Sequence, residues 1–519
     1  MKRCPRCNLA HDDALSFCRA DGTRLITGSI ASESTATALL PAVAPSGEVS
    51  TQLPHQAPSI AVLPFANMSS DAENEYFCDG LAEDILNALA KVEGLKVAAR
   101  TSAFSFKGRE TNVGEVGRTL NVNSVLEGGV RKSGDRVRVT VQLISAADGY
   151  HLWSERYDRR LEDIFDVQDE ITLAVVDALK VRLLGDKKAA VLKRHTGNSE
   201  AHQLYLKGRY FWYRGAPEDF VRSRDYFLRA VELDPAYALA YAGLADAYGF
   251  PAATGLARPD EGWPKAEAAA LKARELDDGI AEVYNPLAAQ RFIYHRDWAG
   301  AEREFSRAFE LNANFAEIHN LRSVYLVVVG RLEEAIAEGR RSLELDPLSV
   351  ISSKFLGDWL YYARRYDEAV GQYRAALELA PDNAWVHEAL GDVLEQQGVY
   401  EGAVAEWRSA MMLAGDEELA VILSRAHSES GFTAAARAVA RERLKRLDEV
   451  SQGGGYAPAV GFARAYLRLG DKEQAFRWLE RACEERNLFP LLINSDPFYD
   501  GLRSDPCFAA LVRKVGLPQ

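Results

Sequence analysis

The stretch Leu356–Pro381 reads "LGDWLYYARRYDEAVGQYRAALELAP", and the later stretch Leu390–Gly415 reads "LGDVLEQQGVYEGAVAEWRSAMMLAG". Both begin with Leu-Gly, carry alanines and an aromatic residue at the same later places, and end in Pro or Gly. Small residues let two helices approach closely, an aromatic side chain fills the gap to the next pair, and proline ends a helix. Each stretch therefore predicts a pair of packed helices, and the second stretch repeats the first.

The motif recurs along the second half of the chain at a nearly constant interval. Short segments such as "VELDP", "LELDP" and "LELAP" mark it, and their second residues are Glu232, Glu275, Glu310, Glu344, Glu378 and Met412. The last three intervals are 34 residues each, the one before them is 35, and the first is 43 because of an insertion near "PAATGLARPDEGW". Helical sequence with this period is typical of tetratricopeptide repeats. We expect an all-α tetratricopeptide-repeat solenoid over residues 199–519, closed by a C-terminal cap in "DPFYDGLRSDPCFAALVRKVGL".

Residues 58–185 show the mixed pattern of a compact α/β domain. The run "SIAVLPFANM" suits a buried strand, and "DGLAEDILNALAKV" has helical periodicity with Asp79 as its expected N-cap. In "RVRVTVQLI" apolar and polar residues alternate, which predicts a half-buried strand whose inner side chains are Val137, Val139, Val141 and Leu143. Turns at residues 133–135 and 148–149 predict two hairpins, and a closing amphipathic helix follows.

Three segments of this domain carry a family resemblance. They are "SIAVLPFANMSSDAENEYFCDGLAEDI", "VLEGGVRKSGDRVRVTVQLISAADGYHLWSERYDR" and "DIFDVQDEIT". They resemble the TolB amino-terminal-like domain, which occurs in bacterial chains with tetratricopeptide repeats, often after an adenylate cyclase, protein kinase or DNA-binding module. The resemblance implies an α/β module without known catalytic residues.

The N-terminal segment "CPRCNLAHDDALSFCRADGTRL" has the spacing of a metal site. Cys4 and Cys7 form a CxxC pair, Cys18 supplies a third thiolate, and Asp21 stands where a zinc ribbon would place its fourth cysteine. His11 or a water molecule is the alternative fourth ligand. The stretch is similar to bacterial zinc-ribbon modules that end in "FCxxDGTxL". We expect a small zinc ribbon over residues 1–26, with zinc as its cofactor and residues 27–57 as a flexible linker.

Several classes of function lack support in the sequence. The net charge of −13 argues against general affinity for nucleic acid. No signal peptide and no apolar stretch long enough to span a membrane is present, so we expect a cytoplasmic protein. "YHRDW" contains the kinase triplet His-Arg-Asp, but Glu302 stands where a kinase requires Asn. Nucleotide-binding and acyl-transfer motifs are also missing from the sequence, and we expect no enzyme activity.

The first helix of each repeat lines the concave face of such an array, where repeat proteins bind their partners. By register, the candidate partner-binding residues are Gln290, Asp358, Tyr361, Tyr362, Trp385, Asp392 and Glu395. We predict a non-enzymatic cytoplasmic adaptor or scaffold that binds protein partners in the solenoid groove. The alternative is a nucleic-acid-linked or transcription-associated regulator that uses the ribbon, where basic residues cluster: Lys2, Arg3, Arg6, Arg19 and Arg24. The sequence leaves the identity of the partner and the oligomeric state open.

Overall fold

The computed structural model describes residues 2–3, 10–11, 58–109, 112–181, 188, 191–215 and 217–517. The chain divides into two compact units, Met1–Gln56 and Ala57–Gln519. In the first unit, strand β1 (Lys2–Arg3) pairs antiparallel with β2 (Ala10–His11). The four predicted zinc ligands, Cys4, Cys7, Cys18 and Asp21, and the predicted linker lie outside the described residues.

The second unit opens with a mixed six-stranded sheet. Its strands are β3 (Ser59–Val62), β4 (Ala66–Asn67), β5 (Lys96–Val97), β6 (Ser124–Ser133), β7 (Arg136–Ser145) and β8 (His151–Arg160). The order is β5-β3-β6-β7-β8, with β4 beside β6. β3 pairs in parallel with β5 and with β6, and β4 pairs in parallel with β6. β6 with β7 and β7 with β8 form antiparallel hairpins. The two predicted hairpins are therefore confirmed.

Helices cover both faces of this sheet. They are α1 (Glu75–Ala90), α2 (Arg100–Phe104), α3 (Val113–Leu120) and α4 (Ile164–Ala178). The predicted inner residues of β7 are all 2% exposed or less, and they form one core with the apolar sides of α1 and α4. A second, smaller core joins α2 and α3 to the opposite face. We call the described residues from 58 to 181 the α/β module.

The start of α1 differs from the prediction. The helix begins at Glu75 instead of after Asp79, because Asp71 caps the preceding 3₁₀ turn by accepting a hydrogen bond from the Glu73 amide. Asp79 therefore lies within the helix, where it is buried and pairs with Lys107 at 2.6 Å. An apolar period reports the side of a helix that is buried, and it reports the helix start much less reliably.

The rest of the chain is an array of antiparallel helix pairs. Six regular pairs come first: α5 (Ser199–Arg214) with α6 (Pro217–Leu233), α7 (Ala238–Thr254) with α8 (Pro259–Leu276), α9 (Ala281–Ala289) with α10 (Trp298–Leu311), α11 (Ala316–Val328) with α12 (Leu332–Leu345), α13 (Val350–Tyr362) with α14 (Tyr366–Leu379), and α15 (Ala384–Gln396) with α16 (Tyr400–Leu413). The solenoid predicted from the period is confirmed.

The small residues of the motif act as predicted. A Cβ atom added to Gly357 would lie 2.5 Å from the ring of Tyr373, and one added to Gly391 would lie 2.4 Å from the ring of Trp407. Such separations are well below van der Waals contact, so only glycine lets the aromatic ring lie across the first helix of its pair.

Two irregular intervals have distinct structural causes. The insertion in the second repeat lengthens both of its helices, since α7 has 17 residues and α8 has 18, against 13 and 14 in the pair α13–α14. The single extra residue of the 35-residue interval lies in a π-helical turn, Gln290–His295, that extends α9. A π-turn accommodates one added residue without breaking the helix.

The last part of the chain folds back along the array. It comprises α17 (Glu417–Gln452), which is kinked at Gly431, then α18 (Ala459–Leu469), α19 (Lys472–Glu484), α20 (Phe489–Leu492) and α21 (Pro506–Val515). Within the described part of the chain, no helix is both long and apolar enough to span a membrane.

The predicted cap region lies away from the end of the array. Trp298 donates to the carbonyl of Gly516 at 3.2 Å, and the Ser495 hydroxyl donates to the carbonyl of Val327 at 3.3 Å. Apolar residues of α19 to α21 join the same core as the repeats. The tail therefore covers the turns of earlier repeats, because the curved array brings these turns to one side of the molecule.

Candidate functional site

The first helices of the six regular pairs, namely α5, α7, α9, α11, α13 and α15, form the surface that we call the groove. Trp385 and Ile351 occupy equivalent positions in successive first helices, 34 residues apart, and their exposed fractions are 49% and 58%. Trp385 was a predicted partner residue. Ile351 was missed, although its spacing from Trp385 was visible in the sequence.

The middle of the groove carries two carboxylates with raised pKa values. Burial raises the pKa of Asp246 to about 7, and the Asn285 amide that donates to this carboxylate offsets part of the shift. Glu317 keeps an exposed side chain, but the protein that surrounds it raises its pKa to about 7, and the nearby Asp346 contributes in the same direction. Among the described residues neither carboxylate forms a direct ion pair, although the positive charge of Arg209 offsets part of both shifts.

Asp358 is held within its own repeat. Its carboxylate accepts from Lys354 Nζ at 2.6 Å and from the Tyr373 hydroxyl at 2.6 Å. The predicted residues Tyr361 and Tyr362 lie at the end of the same helix, where Tyr361 is only 7% exposed. Both side chains pack into the core that the array shares with the returning tail, so they are less accessible than the register suggested.

At the C-terminal end of the groove, two predicted acidic residues bind arginines of α18. Asp392 lies 3.5 Å from Arg464 and accepts from the indole of Trp407 at 3.0 Å. Glu395 forms a bidentate ion pair with Arg468. Burial raises the pKa of Asp392 to about 6, and Arg464 opposes this shift. The chain itself therefore fills these two positions.

At the N-terminal end, helix α1 of the α/β module lies on the groove side of α5. Glu83 is buried and accepts from Arg209 at 2.7 and 3.0 Å and from Arg100 at 2.7 Å. Burial alone would raise the pKa of Glu83, but the two guanidinium groups hold it below its ordinary value. The guanidinium of Arg100 also lies over the ring of Tyr213, 3.7 Å from its centroid.

A second polar contact joins α1 to α5 one residue further along. The carboxylate of Asp84 accepts from Gln168 at 2.6 Å and lies 2.9 Å from Nε2 of His202. The other ring nitrogen of His202 lies 3.0 Å from the hydroxyl of Tyr237. The imidazole thus connects the module to the second repeat, and Asp84 and Tyr237 fix its orientation.

The third contact joins α2 to the turn after α12. Asp346 is buried and accepts from the amide of Ser102 at 3.0 Å and from the hydroxyls of Thr101 and Ser102. The Ser102 hydroxyl in turn accepts from the amide of Leu348 at 2.8 Å. Burial raises the pKa of Asp346 to about 6, although its hydrogen bonds favour the charged form. We call these three contacts the dock.

Gln290 does not line the groove. It is 2% exposed, and it opens the π-helical turn that accommodates the extra residue of its repeat. That extra residue displaces the register by which Gln290 was assigned to the concave face. The sequence signal was present in the 35-residue interval, but the interval does not show where the additional residue lies.

The kinase-like triplet has a structural role. His295 pairs with Glu267 at 2.8 Å, Arg296 adopts a left-handed conformation with φ of 60°, and Asp297 caps α10 through the amide of Gly300. The triplet therefore forms the turn between α9 and α10.

Cys78 is fully buried, and burial raises the pKa of its thiol to about 12, which disfavours the reactive thiolate.

Comparison with known families identifies the array. Tetratricopeptide-repeat family models match residues 287–350, 357–398 and 460–487. The last match covers the pair α18 and α19. The chain is thus a tetratricopeptide-repeat protein in its helical part. The α/β module is matched over residues 55–173 by the family described as "HilA/YgeH-like transcriptional regulator, second domain". The TolB-like resemblance receives no support from these matches.

A curated relative and several solved structures are also similar. "Putative adenylate cyclase 3" of Rhizobium meliloti (strain 1021) is 45% identical over 194 residues, which cover 37% of this chain and 33% of the relative. The matched region of this chain thus spans about a third of the length of that relative.

Among solved structures, a thermophilic tetratricopeptide-repeat protein of Thermus thermophilus is 19% identical, with a TM-score of 0.32, over 38% of this chain and 99% of the other. YrrB, described as having an unusual peptide-binding site, is 21% identical with a TM-score of 0.27, over 38% and 97%. Human IFIT1 with a capped RNA is 13% identical with a TM-score of 0.39, over 62% and 77%.

Proposed function

We propose that the chain is a non-catalytic scaffold that binds a protein segment along α13 and α15, the fifth and sixth first helices of the groove. The observation that carries this proposal is the exposure of two large apolar side chains, Ile351 and Trp385, at equivalent positions of successive repeats. Isolated exposed apolar residues are ordinary, but a periodic pair on the inner helices gives a peptide two anchors at a fixed spacing.

The polar residues near this pair suit a peptide ligand. Lys354 and Glu388 stand at matching places in α13 and α15, and Glu317 precedes Ile351 by one repeat. A segment laid along the groove would meet alternating apolar and charged groups. Such a pattern supports specific recognition, because each charged group penalises a partner that does not match it.

The scaffold proposal extends to the rest of the chain. The relative is named as a putative adenylate cyclase, and the family that matches the α/β module is described as a transcriptional regulator. We infer that the α/β module and its repeats form an effector part in such systems, and that this chain provides it without chemistry of its own. Zinc in the N-terminal ribbon and a cytoplasmic location belong to the same proposal.

A second candidate function is transcription-associated regulation. The match of the α/β module to the HilA-type family favours it, since that family is described by a transcriptional role. In this reading the groove binds a component of the transcription apparatus, and the basic N-terminal residues contact nucleic acid. Phosphate contacts weaken steeply with salt, so a salt-dependent shift of labelled DNA would distinguish this candidate from a protein-only scaffold.

Site-specific photocrosslinking in the source cell tests the scaffold proposal. A benzophenone amino acid at position 351 or 385 should give a discrete adduct with one partner protein. The same group at Leu271 serves as the control, because Leu271 is 39% exposed on the second helix of its pair. Adducts at the control position alone, or at no position, would contradict binding in the groove.

A further inference from the structure

We propose that the groove face of the first repeat is a receptor for an acidic amphipathic helix, and that α1 of the α/β module occupies this receptor reversibly in cis. The proposal rests on the scaffold function and names the class of partner for this end of the groove. A partner protein that presents an equivalent helix would compete with the whole module for the same face.

The face of α5 that contacts α1 corresponds to the face that the first helices of later repeats turn toward the groove. The ring of Phe227 lies across Gly208 of α5, where an added Cβ would approach it to 2.6 Å, just as Tyr373 lies across Gly357. Arg209 follows this glycine in the same way that Asp358 follows Gly357 and Asp392 follows Gly391. α1 therefore contacts α5 at the positions that later repeats direct into the groove.

Helix α1, which fills this face, has an apolar side and a polar side that contact different parts of the chain. One side of α1 belongs to the core of the α/β module through Leu81, Ile85 and Leu89, each 1% exposed or less. The opposite side presents Gly80, Glu83 and Asp84 to α5. Because α1 is needed for the core of the module, release from the receptor moves the module as a unit.

Polar contacts cross the dock beside a few apolar ones, such as Tyr76, which packs against both cores. Glu83 pairs with Arg209, Asp84 contacts the imidazole of His202, and Asp346 receives α2 through hydroxyl and amide donors. The module has a core of its own, separate from the core of the array. Interfaces between parts of one chain that are polar behave like transient protein–protein interfaces, whereas large apolar ones are permanent. The dock therefore has the character of a reversible contact.

Two features define the helix that the receptor selects. A carboxylate at the Glu83 position pairs with Arg209, and a helix without it would leave this arginine buried and unpaired, which is costly. Three residues earlier the helix requires glycine, since a Cβ at Gly80 would lie 2.4 Å from the side chain of Leu206. Residues three apart lie on one face of a helix, so the recognised pattern is Gly-x-x-Glu-Asp.

The test uses the full chain and a labelled peptide of residues 73–92 in which Cys78 is replaced by Ser. Gly80→Leu in the full chain should expel α1 from α5, and Gly371→Leu is the matched control because nothing lies within 4 Å of a Cβ there. The released chain should bind the peptide about tenfold or more tightly than the wild type, whose receptor is already filled. Fluorescence anisotropy measures both affinities.

Peptide variants and a second protein variant keep the test decisive. A peptide with Glu83→Lys and Asp84→Lys should not bind the Gly80→Leu chain, and Arg209→Glu in that chain should abolish binding of the original peptide. Hydrogen exchange by mass spectrometry should show faster exchange in α5, with β6 and β7 unchanged. If Gly80→Leu also loosens the sheet, the Arg209→Glu variant of the full chain takes its place. This variant should bind a peptide with Glu83→Lys and Asp84→Lys, because the charges at the contact are then exchanged.

Two results would overturn the proposal. One is an exposed α5 face that fails to bind the peptide, and the other is equal peptide affinity for wild type and for the released chain. Photocrosslinking at positions 351 and 385 is independent of α1, so it can succeed while this proposal fails. A failure of crosslinking together with successful peptide binding would instead remove the scaffold proposal for α13 and α15.

Discussion

The two ends of the groove are both covered by other parts of the chain, but by opposite means. At the N-terminal end the array provides the cation, Arg209, and the covering helix provides the carboxylate, Glu83. At the C-terminal end the array provides the carboxylate, Glu395, and the covering helix provides Arg468. The larger difference between the two covers is in their apolar packing. The C-terminal cover shares the core of the array, whereas the α/β module retains its own.

This comparison indicates which cover is permanent. Ion pairs alone contribute little net stability, because desolvation offsets much of their attraction. Burial of apolar surface contributes far more, at roughly 25 cal/mol per Å². The tail is therefore part of the solenoid, and the α/β module is a docked body. The exposed pair Ile351 and Trp385 lies along the chain between Leu348, which contacts the releasable module, and Glu395, which binds the fixed tail.

The largest expected effect comes from the permanent cover. Ile493 of the tail is fully buried in the shared core, so Ile493→Ala should reduce stability by about 2–5 kcal/mol through the lost burial and the cavity. Thermal unfolding followed by far-ultraviolet circular dichroism measures the change. Val421→Ala is the control, since Val421 is 61% exposed. Equal unfolding temperatures for both variants would show that the tail is not integral to the array.

A pH effect is expected at the releasable cover. The pKa of Asp346 is about 6 in the folded chain and near 3.8 when unfolded, because burial disfavours its charge. A carboxylate with a raised pKa favours folding when protonated, so the free energy of unfolding falls as pH rises through this range. The loss is up to roughly 3 kcal/mol.

Urea unfolding at about pH 4 and about pH 7 measures this slope, and Asp346→Asn should flatten it. Asp246, Glu317 and Asp392 titrate in the same direction and remain in the variant, so the difference between the two slopes reports Asp346 together with its effect on Glu317. Identical slopes would mean that Asp346 is not desolvated in the dock.

Glycine substitutions sharpen the comparison within the array itself. Gly357→Ala forces a methyl group against Tyr373 and should cost about 1–3 kcal/mol through overpacking. Gly371→Ala lies in the next helix with open space around it, and it should stabilise the helix by about 0.5–1 kcal/mol. Chemical denaturation of the two variants measures effects of opposite sign. Effects of the same sign would contradict the register of the repeats.

The smallest effect on either cover is expected from substitutions in the predicted zinc ribbon at the N-terminus. Cys18→Ala should abolish zinc binding, Asp21→Ala should weaken retention against a chelator, and His11→Ala should not. Metal analysis by mass spectrometry after chelator challenge measures retention. We expect the thermal unfolding of the array to be unchanged in all three variants. Zinc release by His11→Ala, with retention in Asp21→Ala, would identify His11 as the fourth ligand.

The repeats were predictable because their signal is redundant. The Gly357 and Gly391 contacts occur at one fixed spacing, so the period, the helix pairing and the packing residues all follow from it. The strand alternation that ends at Leu143 was equally clear, since period-two burial leaves few other structures. Where an extra residue entered, in the π-helical turn that begins at Gln290, the register failed because a period does not locate an insertion.

The sequence alone determined the helical array and the half-buried sheet, because both arise from local periodicity that every copy or strand repeats. It did not determine what covers the groove. The partners Glu83 and Arg209 are 126 residues apart in the chain, and Glu395 and Arg468 are 73 apart. No local pattern pairs residues over such distances. Only the curvature of the folded array brings its first and last helices to the parts of the chain that cover them.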